Sequence, residues 1–240
     1  MQFQDKVAWI TGASSGIGEA LAYALSAQGA RLVLSARRAE ELERVRQQCT
    51  TMDAHHVLPL DLAKLDAEPL TQQVLEHFGQ IDLLIHSGGV SQRSTVSETS
   101  MAVQRRMMEI NYFGAIALTQ AVLPAMLARK SGHFVVISSL SGKISTPRRA
   151  AYAASKHALH GFFDALRAEV YQDGLRVTIV CPGYIKTNLS FNALTGQGGV
   201  HGQMDPTQAK GMAPATLATR ILQAIERQEE EVLVGGKEVL

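Results

Sequence analysis

The chain has 240 residues, of which 46% are hydrophobic and 19% charged, so it is long and apolar enough to fold around a substantial core. The formal net charge is only +1 at pH 7 and no run of Lys and Arg stands out, which argues against a nucleic-acid partner. A polar start, no long apolar run and only two cysteines, Cys49 and Cys181, favour a cytoplasmic protein with reduced thiols, no secretion signal and no membrane association.

Seven short apolar segments recur along the chain at the length of β-strands. They lie at residues 7–10, 32–35, 56–60, 82–85, 134–138, 177–181 and 231–235. Most carry Val, Ile and Leu at consecutive positions, which is typical of strands buried on both faces of a parallel sheet. Between them, apolar residues recur at helical spacing, as in Ile17, Leu21 and Leu25. The alternation predicts one doubly wound α/β domain over residues 1–240, with helices on both faces of the sheet.

The first connecting loop, TGASSGIG at residues 11–18, has the pattern of a phosphate-binding turn. It follows a predicted strand and opens a predicted helix, and its glycines let the backbone turn tightly and approach a ligand. The start of the helix then offers free N–H groups to an anion. A purely structural strand–helix turn is the alternative. The predicted cofactor contacts in this loop are Gly12, Ser14, Ser15, Gly16, Ile17 and Gly18.

The end of the second predicted strand, LSARR at residues 34–38, indicates which dinucleotide the site prefers. An acid commonly stands there to hold a ribose 2′-hydroxyl, but this chain has Ala36, followed by Arg37 and Arg38. An acid would repel a 2′-phosphate, whereas arginine binds it through charge-assisted hydrogen bonds. We therefore predict a preference for NADP(H) over NAD(H); alternatively, both arginines are solvated residues at the start of a helix.

A predicted helix at residues 150–163, AAYAASKHALHGFF, places Tyr152 and Lys156 one turn apart on one face. In one interpretation the ammonium lowers the pKa of the phenol, which then exchanges a proton near neutral pH; in the other, Tyr152 packs sideways and Lys156 points to water. Two further residues favour the first interpretation. Ser139 ends the preceding predicted strand, where ligands bind in such sheets, and Asn111 lies in a helical stretch where Asn is unfavourable.

Together these motifs resemble those of the short-chain dehydrogenase/reductases, single-domain NAD(P)-dependent oxidoreductases. The resemblance covers nearly all of the chain and rests on TGASSGIG at 11, DL at 61, INYFG at 110, ISS at 137, YAASK at 152 and PGYIKT at 182. Within the family, the chain looks most like the group around dehydrogenase/reductase member seven and its relative seven-B. The resemblance implies a Rossmann-type sheet of order 3-2-1-4-5-6-7, hydride transfer between a carbonyl and an alcohol, and a homodimer or homotetramer.

The resemblance also implies a role for each candidate catalytic residue. Tyr152 would be the acid in carbonyl reduction and the base in alcohol oxidation, while Lys156 would lower its pKa and hold the nicotinamide ribose. Ser139 would hydrogen-bond the substrate oxygen, and Asn111 would position a water that links Lys156 to solvent. Further cofactor contacts are expected from Asp61 and Leu62 at the adenine and from Pro182, Gly183, Ile185 and Thr187 at the nicotinamide.

The segment after the fourth predicted strand departs from the family pattern. The family shows Asn-Asn-Ala-Gly, whereas this chain has His86, Ser87, Gly88 and Gly89. The two glycines keep the backbone open beside the cofactor, and Ser87 replaces part of the hydrogen bonding of an amide, so these three residues are expected cofactor contacts. We interpret His86 as a hydrogen-bonded residue at a strand end rather than as a catalytic base.

A long loop at about 186–214 is interpreted as a substrate-binding lid, because its apolar side chains can close over a ligand. It suits a moderately apolar carbonyl substrate. An anionic group on the substrate is an open alternative, because four basic residues lie in segments expected to border the site. They are Arg93, Lys143, Arg148 and Arg149.

The leading hypothesis is an NADP(H)-dependent oxidoreductase that acts on a small carbonyl or alcohol. No metal is expected, because His157 and His160 share a helix but lack the glutamate of a zinc-protease helix. Two alternatives remain open: an epimerase or lyase on the same fold, and a non-catalytic NADP-binding protein. Proteins of the last kind commonly lose the catalytic Tyr or Lys, and this chain has both.

Overall fold

A parallel sheet organises the computed structural model, which describes residues 3–236 and residue 238. Its strands are β1 Val7–Thr11, β2 Arg31–Ser35, β3 His56–Val57, β4 Leu83–His86, β5 Gly132–Ile137, β6 Leu175–Pro182 and β7 Glu231–Val234. Neighbouring strands are parallel throughout, in the order β3-β2-β1-β4-β5-β6-β7. The predicted Rossmann-type sheet and its strand order are confirmed.

Helices cover both faces of this sheet. They are α1 Gly16–Ser26, α2 Ala39–Gln48, α3 Ala67–Phe78, α4 Met101–Met108, α5 Gly114–Arg129, α6 Ala150–Val170, α7 Pro206–Ala209 and α8 Pro214–Glu226. Short 3₁₀ turns lie at Met52–Ala54 and Leu140–Gly142. The predicted helical stretch around Asn111 contains a π-helix, Glu109–Phe113, between α4 and α5. Such wider turns are frequent at functional sites.

Strand β3 is shorter than the predicted strand at residues 56–60. Its ladder covers only His56 and Val57, although Leu58 and Leu60 still donate backbone hydrogen bonds to β2 and to the residue that follows it. Pro59 stands between them and has no N–H to donate. Proline is tolerated here because β3 is an edge strand of the sheet.

Side chains alternate between the two faces of the sheet, and each face carries its own core. On one face, Ala8 and Ile10 of β1 pack with Leu21 and other residues of α1, α2 and α8. On the other face, Trp9 packs with residues of α3, α5 and α6, and its indole N–H donates to Ser35 Oγ at 2.9 Å. Because both faces are covered, the strands have the continuous apolar sequences from which they were predicted.

The carboxyl ends of the central strands meet where the strand order reverses, between β1 and β4. The loops that follow these strands touch there: the backbone N–H of Gly88 donates to Thr11 Oγ1 at 3.2 Å. Ser139 follows β5 on the same edge, and α6 begins above it. Ligands of open α/β sheets bind in this crevice.

The segment between β6 and α8 crosses this edge of the sheet, and α7 is its regular part. Leu194 ties it to the loop after β4, because its N–H donates to Ser91 O and its carbonyl accepts from Arg93 N, each at 2.8 Å. Asp205 caps α7 by accepting hydrogen bonds from the backbone N–H groups of Thr207 and Gln208.

The helical stretch Met101–Arg129 is long and apolar enough to cross a membrane by length and composition, which the sequence analysis did not anticipate. Leu118, Val122 and Met126 of this stretch are completely buried in the core beside α3 and α6. These side chains are apolar because they belong to the core of the fold, which explains part of the high hydropathy of this stretch.

Candidate active site

The glycine-rich loop between β1 and α1 has the tight turns that its sequence predicts. Gly12 and Gly16 have φ angles of +69° and +62°, in the left-handed region that favours glycine. A Cβ atom at Gly12 would lie 2.7 Å from Gly88 Cα, and one at Gly18 would overlap the carbonyl oxygen of Gly12. Helix α1 begins at Gly16, where its first N–H groups have no partner within the helix. The loop therefore fits an anion such as a dinucleotide phosphate.

A cavity of about 780 Å³ opens beside this loop. Its lining includes Ser14, Ser15, Gly16, Arg38, Arg44, Lys186 and Thr187. Arg37 and Arg38 are exposed, and among the described residues the ion pairs of α2 use Arg44 and Arg46 instead. Arg38 lines the cavity and Arg37 does not, and both residues follow closely on the end of β2.

Arg44 is a residue of this region that sequence reasoning missed. Its guanidinium donates to Glu19 Oε1 at 2.8 Å and to the carbonyl oxygen of Ser14 at 3.4 Å, so it ties α2 to the glycine-rich loop. These partners are 25 and 30 residues away in sequence, and no local pattern marks the contact.

Ser139, Tyr152 and Lys156 come together at the end of β5 and the start of α6. The hydroxyl of Ser139 acts to lower the pKa of the Tyr152 phenol, and its oxygen accepts a hydrogen bond from Ser141 N at 3.1 Å. Lys156 Nζ lies 5.8 Å from the centroid of the Tyr152 ring and donates to the carbonyl oxygen of Ile137 at 2.8 Å. Tyr152 and Lys156 are only 4% and 6% exposed. The alternative in which Lys156 points to water is therefore wrong.

Burial controls the acidity of both side chains. It raises the pKa of the Tyr152 phenol above its usual value, although the Ser139 hydroxyl and the charges of Arg149 and Arg93 act in the opposite direction. It also lowers the pKa of Lys156 to about 8. The lowered phenol pKa that the sequence suggests is thus absent from the protein alone.

Asn111 lies in the π-helix and joins α6 to the loop after β4. Its Oδ1 accepts from Val90 N at 2.8 Å, and its Nδ2 donates to Val90 O and to Ser155 Oγ, each at 2.9 Å. A Cβ atom at Gly89 would lie 3.2 Å from Asn111 Oδ1 and 3.8 Å from Lys156 Nζ. Gly89 thus lies between Asn111 and Lys156, and Asn111 fixes the backbone at Val90 beside it. The role implied by the resemblance, in which Asn111 positions a water, stays a prediction.

His86 is buried and hydrogen-bonded, as the sequence analysis expected. One ring nitrogen, Nε2, lies 2.8 Å from Thr119 Oγ1, and the ring lies 5.7 Å from that of Phe163. Burial, assisted by the charge of Lys156, lowers the pKa of His86 to about 3. The ring is therefore neutral near pH 7 and packs in the core.

The other predicted contacts lie on both sides of the crevice. Asp61 and Leu62 are half-buried, and the Leu62 side chain reaches within 2.6 Å of where a Cβ atom of Gly88 would be. Ser87 is half-buried beside Gly88. Thr187 lies over the glycine-rich loop and accepts a hydrogen bond from buried Gln208, at 2.9 Å, which sequence reasoning missed.

The contacts expected at the nicotinamide begin at the end of β6. Pro182 is the last residue of that strand, and the N–H of Gly183 donates to Val234 O at 2.8 Å. Ile185 is buried in the core on the α1 face of the sheet. These residues carry the chain from β6 to Thr187, which brings the segment over the glycine-rich loop.

A separate cluster of metal-ligand types lies behind the site. One ligand atom each of His160, Cys181 and Glu231 lie within 4.8 Å of one another. Burial raises the pKa of the Cys181 thiol to about 12. Glu231 forms an ion pair with Lys143, in which Oε2 lies 2.6 Å from Nζ. A metal ion would need the thiolate and the free carboxylate. In this structure Glu231 is paired with Lys143, and Cys181 Sγ lies 3.7 Å from His160 Nε2.

The sheet order and the glycine-rich loop define a Rossmann-type nucleotide-binding protein. A family model described as short chain dehydrogenase matches residues 6–197, so the chain belongs to that family. It is therefore a short-chain oxidoreductase. Members of this family bind nicotinamide cofactors and act on small molecules.

Curated relatives carry the same family name. The chain is 50% identical to a dehydrogenase/reductase SDR family protein 7-like of Drosophila melanogaster, over 98% of this chain and 74% of that protein. It is 46% identical to dehydrogenase/reductase SDR family member 7B of Bos taurus, over 97% and 74%. The predicted resemblance to the member-seven group is confirmed.

Solved structures are similar over nearly the whole chain. A short-chain dehydrogenase from Streptomyces avermitilis matches with a TM-score of 0.86 and 31% identity, over 98% of this chain and 90% of that one. An alcohol dehydrogenase from the archaeon Thermococcus sibiricus, complexed with 5-hydroxy-NADP, matches with a TM-score of 0.83 and 26% identity, over 98% and 97%.

Proposed function

We propose that the protein is an NADP(H)-dependent oxidoreductase that interconverts a carbonyl and an alcohol, with Tyr152 as the acid and base. The observation that carries this proposal is the burial of Tyr152 and Lys156 against each other at the carboxyl edge of the sheet, where the Ser139 hydroxyl acts on the phenol. This pair lies on the same edge of the sheet as the glycine-rich loop, which borders a cavity of about 780 Å³. Two hydroxyl groups and an ammonium in a dry site suit proton transfer to a carbonyl oxygen.

The residues would divide the work as follows. NADPH, when bound, would supply the hydride for the carbonyl carbon. Ser139 holds the carbonyl oxygen by a hydrogen bond, and the phenol of Tyr152 gives its proton to that oxygen. Lys156 Nζ lies 5.8 Å from the centre of the Tyr152 ring, and burial lowers its pKa to about 8, which suits it to supply a proton for the phenolate. Asn111 keeps the backbone at Val90 in place beside the lysine.

The electrostatic requirement is large. A free tyrosine has a pKa of ~10, and bringing it to ~7 takes about 4 kcal/mol of extra stabilisation of the phenolate. Burial alone acts against this, since it raises the phenol pKa in the protein. Positive charge must supply the difference, and Lys156 and the oxidised nicotinamide are the groups that the reaction places beside the phenolate.

The preference for NADP(H) rests on the end of β2. Ala36 places no carboxylate there, and Arg37 and Arg38 are exposed and available for a 2′-phosphate. Ser14 is buried in the loop that faces them. The nearby acid Glu41 is already paired with Arg44 at 2.9 Å, so it does not oppose an anion as a free carboxylate would.

The first test compares NADPH and NADH oxidation across ketones, aldehydes and quinones. Turnover should prefer NADPH and vanish in Tyr152→Phe, while Tyr171→Phe, an exposed tyrosine at the end of α6, should keep full activity. Turnover that survives in Tyr152→Phe would refute the role of the phenol. Conversion of a substrate without net cofactor oxidation would favour the epimerase or lyase alternative.

Cofactor choice is tested by calorimetry, which needs no substrate. Removing the arginines in Arg37→Gln and Arg38→Gln should weaken NADPH binding by ~10-fold or more, as expected for lost charge-assisted hydrogen bonds, and leave NADH binding unchanged. Equal affinity of the native protein for both cofactors would refute the preference.

A further inference from the structure

Two arginines, one in the loop after β4 and one near the start of α6, are largely withdrawn from solvent, and their charges act on the phenol of Tyr152. Arg93 follows β4, Arg149 precedes α6, and their side chains are 16% and 13% exposed. The other two basic residues noted in the sequence lie elsewhere: Lys143 pairs with Glu231, and Arg148 is exposed. The arginines are thus the two basic side chains of that set that lie close to the proposed reaction.

These arginines share one carboxylate, that of Asp205 in the segment between β6 and α8. Arg93 Nη2 contacts Asp205 Oδ2, and Arg149 Nη2 lies 3.7 Å from the same oxygen. The other oxygen, Oδ1, accepts the capping bonds from Thr207 N and Gln208 N. One carboxylate oxygen therefore faces two guanidinium groups, each of which has five N–H donors.

The charges do not balance at this point. Two cations face one anion, and this excess of positive charge affects the pKa of Arg149 and that of the Tyr152 phenol. Burial and the neighbouring charge of Arg93 lower the pKa of Arg149, and both arginines act on the phenol of Tyr152. Tyr184 is the other titratable group whose charge acts on Arg149. The net positive charge of the two guanidinium groups therefore favours an oxyanion at this point.

We propose that Arg93 and Arg149 bind a carboxylate or phosphate group of the substrate, and that Asp205 occupies this subsite until the substrate replaces it. The proposal rests on the function proposed above and narrows the substrate to an anionic carbonyl compound. Arginine suits this role because its planar donors match both kinds of oxyanion.

The same contact connects substrate binding to the segment over the site. Leu194 of that segment packs in one cluster with Tyr152, and Asp205 holds the segment to the two arginines. An arriving anion would compete with Asp205, so the segment would loosen at α7 when the substrate enters. A purely structural ion pair, by contrast, would be indifferent to the charge of the substrate.

The test uses matched charged and neutral carbonyl probes: 4-formylbenzoate, 4-formylphenyl phosphate and the methyl ester of 4-formylbenzoate. Native protein should turn over a charged probe with the higher kcat/KM. Arg149→Gln and Arg93→Gln should lower kcat/KM for that probe ~10- to ~100-fold and change the ester less than ~3-fold. Arg148→Gln, the exposed neighbour, should change neither, and Asp205→Asn should lower KM for the charged probe.

Binding is measured separately from turnover. Calorimetry with 4-(hydroxymethyl)benzoate, 4-(hydroxymethyl)phenyl phosphate and the methyl ester of the first, on NADP-loaded Tyr152→Phe protein, should show the same preference for charge. Comparing the carboxylate and phosphate probes identifies the preferred anion. Equal affinity for charged and neutral probes, or equal losses for both in Arg149→Gln, would overturn the proposal. Charge-selective binding without turnover of any probe by native protein would instead refute the proposed function and leave the subsite standing.

Discussion

Two buried histidines should make the folded protein lose stability between neutral and mildly acidic pH. His86 ends β4 and lies 2.8 Å from Thr119 Oγ1, and His133 in β5 lies 2.8 Å from Thr178 Oγ1. Burial lowers the pKa of His86 to about 3 and that of His133 to about 4. Neither ring has a carboxylate partner that would stabilise its charged form in these contacts.

The direction and size of the effect follow from proton linkage. A histidine in the unfolded chain has a pKa of ~6.5, so below that pH the unfolded chain binds a proton that the folded protein does not. The stabilisation is fully present above ~6.5 and is lost as the pH falls toward the folded values. Between about pH 7.5 and about pH 5 the loss is about 2 kcal/mol for each histidine, and about 4 kcal/mol for both. The total free energy of unfolding of a typical domain is only ~5–15 kcal/mol.

Urea unfolding at these two pH values measures the effect. In the native protein, the unfolding free energy falls between about pH 7.5 and about pH 5. This fall should be about 2 kcal/mol smaller in His86→Gln than in the native protein, and likewise about 2 kcal/mol smaller in His133→Gln. Comparing each variant with itself removes the cost of the substitution at neutral pH. His157→Gln, on the exposed face of α6, is the matched control and should retain the native pH dependence. An unchanged pH dependence in His86→Gln would refute the reasoning.

Three substitutions test the geometry of the site. Gly12→Ala should abolish NADPH binding in calorimetry, because its Cβ would lie 2.7 Å from Gly88 Cα; binding at native affinity would contradict this. Asn111→Ala should lower the unfolding free energy by about 1.5–4 kcal/mol, as three buried hydrogen bonds are lost, and an unchanged urea midpoint would show that they contribute little. Lys156→Met should lower kcat ~100-fold or more while Tm stays equal or rises, since a buried charge is removed; a large fall in Tm would mean that the lysine is mainly structural.

The fold was predictable because its signals are local. Strands covered on both faces must be apolar throughout, and the glycine-rich loop needs glycine where φ is positive, so both leave a pattern within a few residues. Tyr152 and Lys156 were likewise found from their helical spacing. The short β3 is the exception, because the apolar run continues through Pro59 while the ladder does not.

The parts of the site that could not be predicted depend on distant pairs. Arg93 and Asp205 are 112 residues apart, so their contact is set by the path of the segment between β6 and α8. The sequence showed that this segment was long and apolar, but not which side chain it would bring to the arginines. The same holds for the pKa of Tyr152, because burial of the phenol depends on Leu194 and the rest of that segment.

The charges around Tyr152 assign different tasks to its neighbours. The arginines act on the phenol with Asp205 beside them, and a substrate anion that replaces Asp205 would leave the local charge nearly unchanged. Such an exchange would hold the substrate without making the phenol more acidic. We then expect activation to come from Lys156, whose Nζ lies 5.8 Å from the centre of the Tyr152 ring, and from the bound cofactor. Loss of Arg149 should therefore raise KM for an anionic carbonyl and have a small effect on the pH profile of kcat. Loss of Lys156 should instead change the pH profile of kcat and have a small effect on KM.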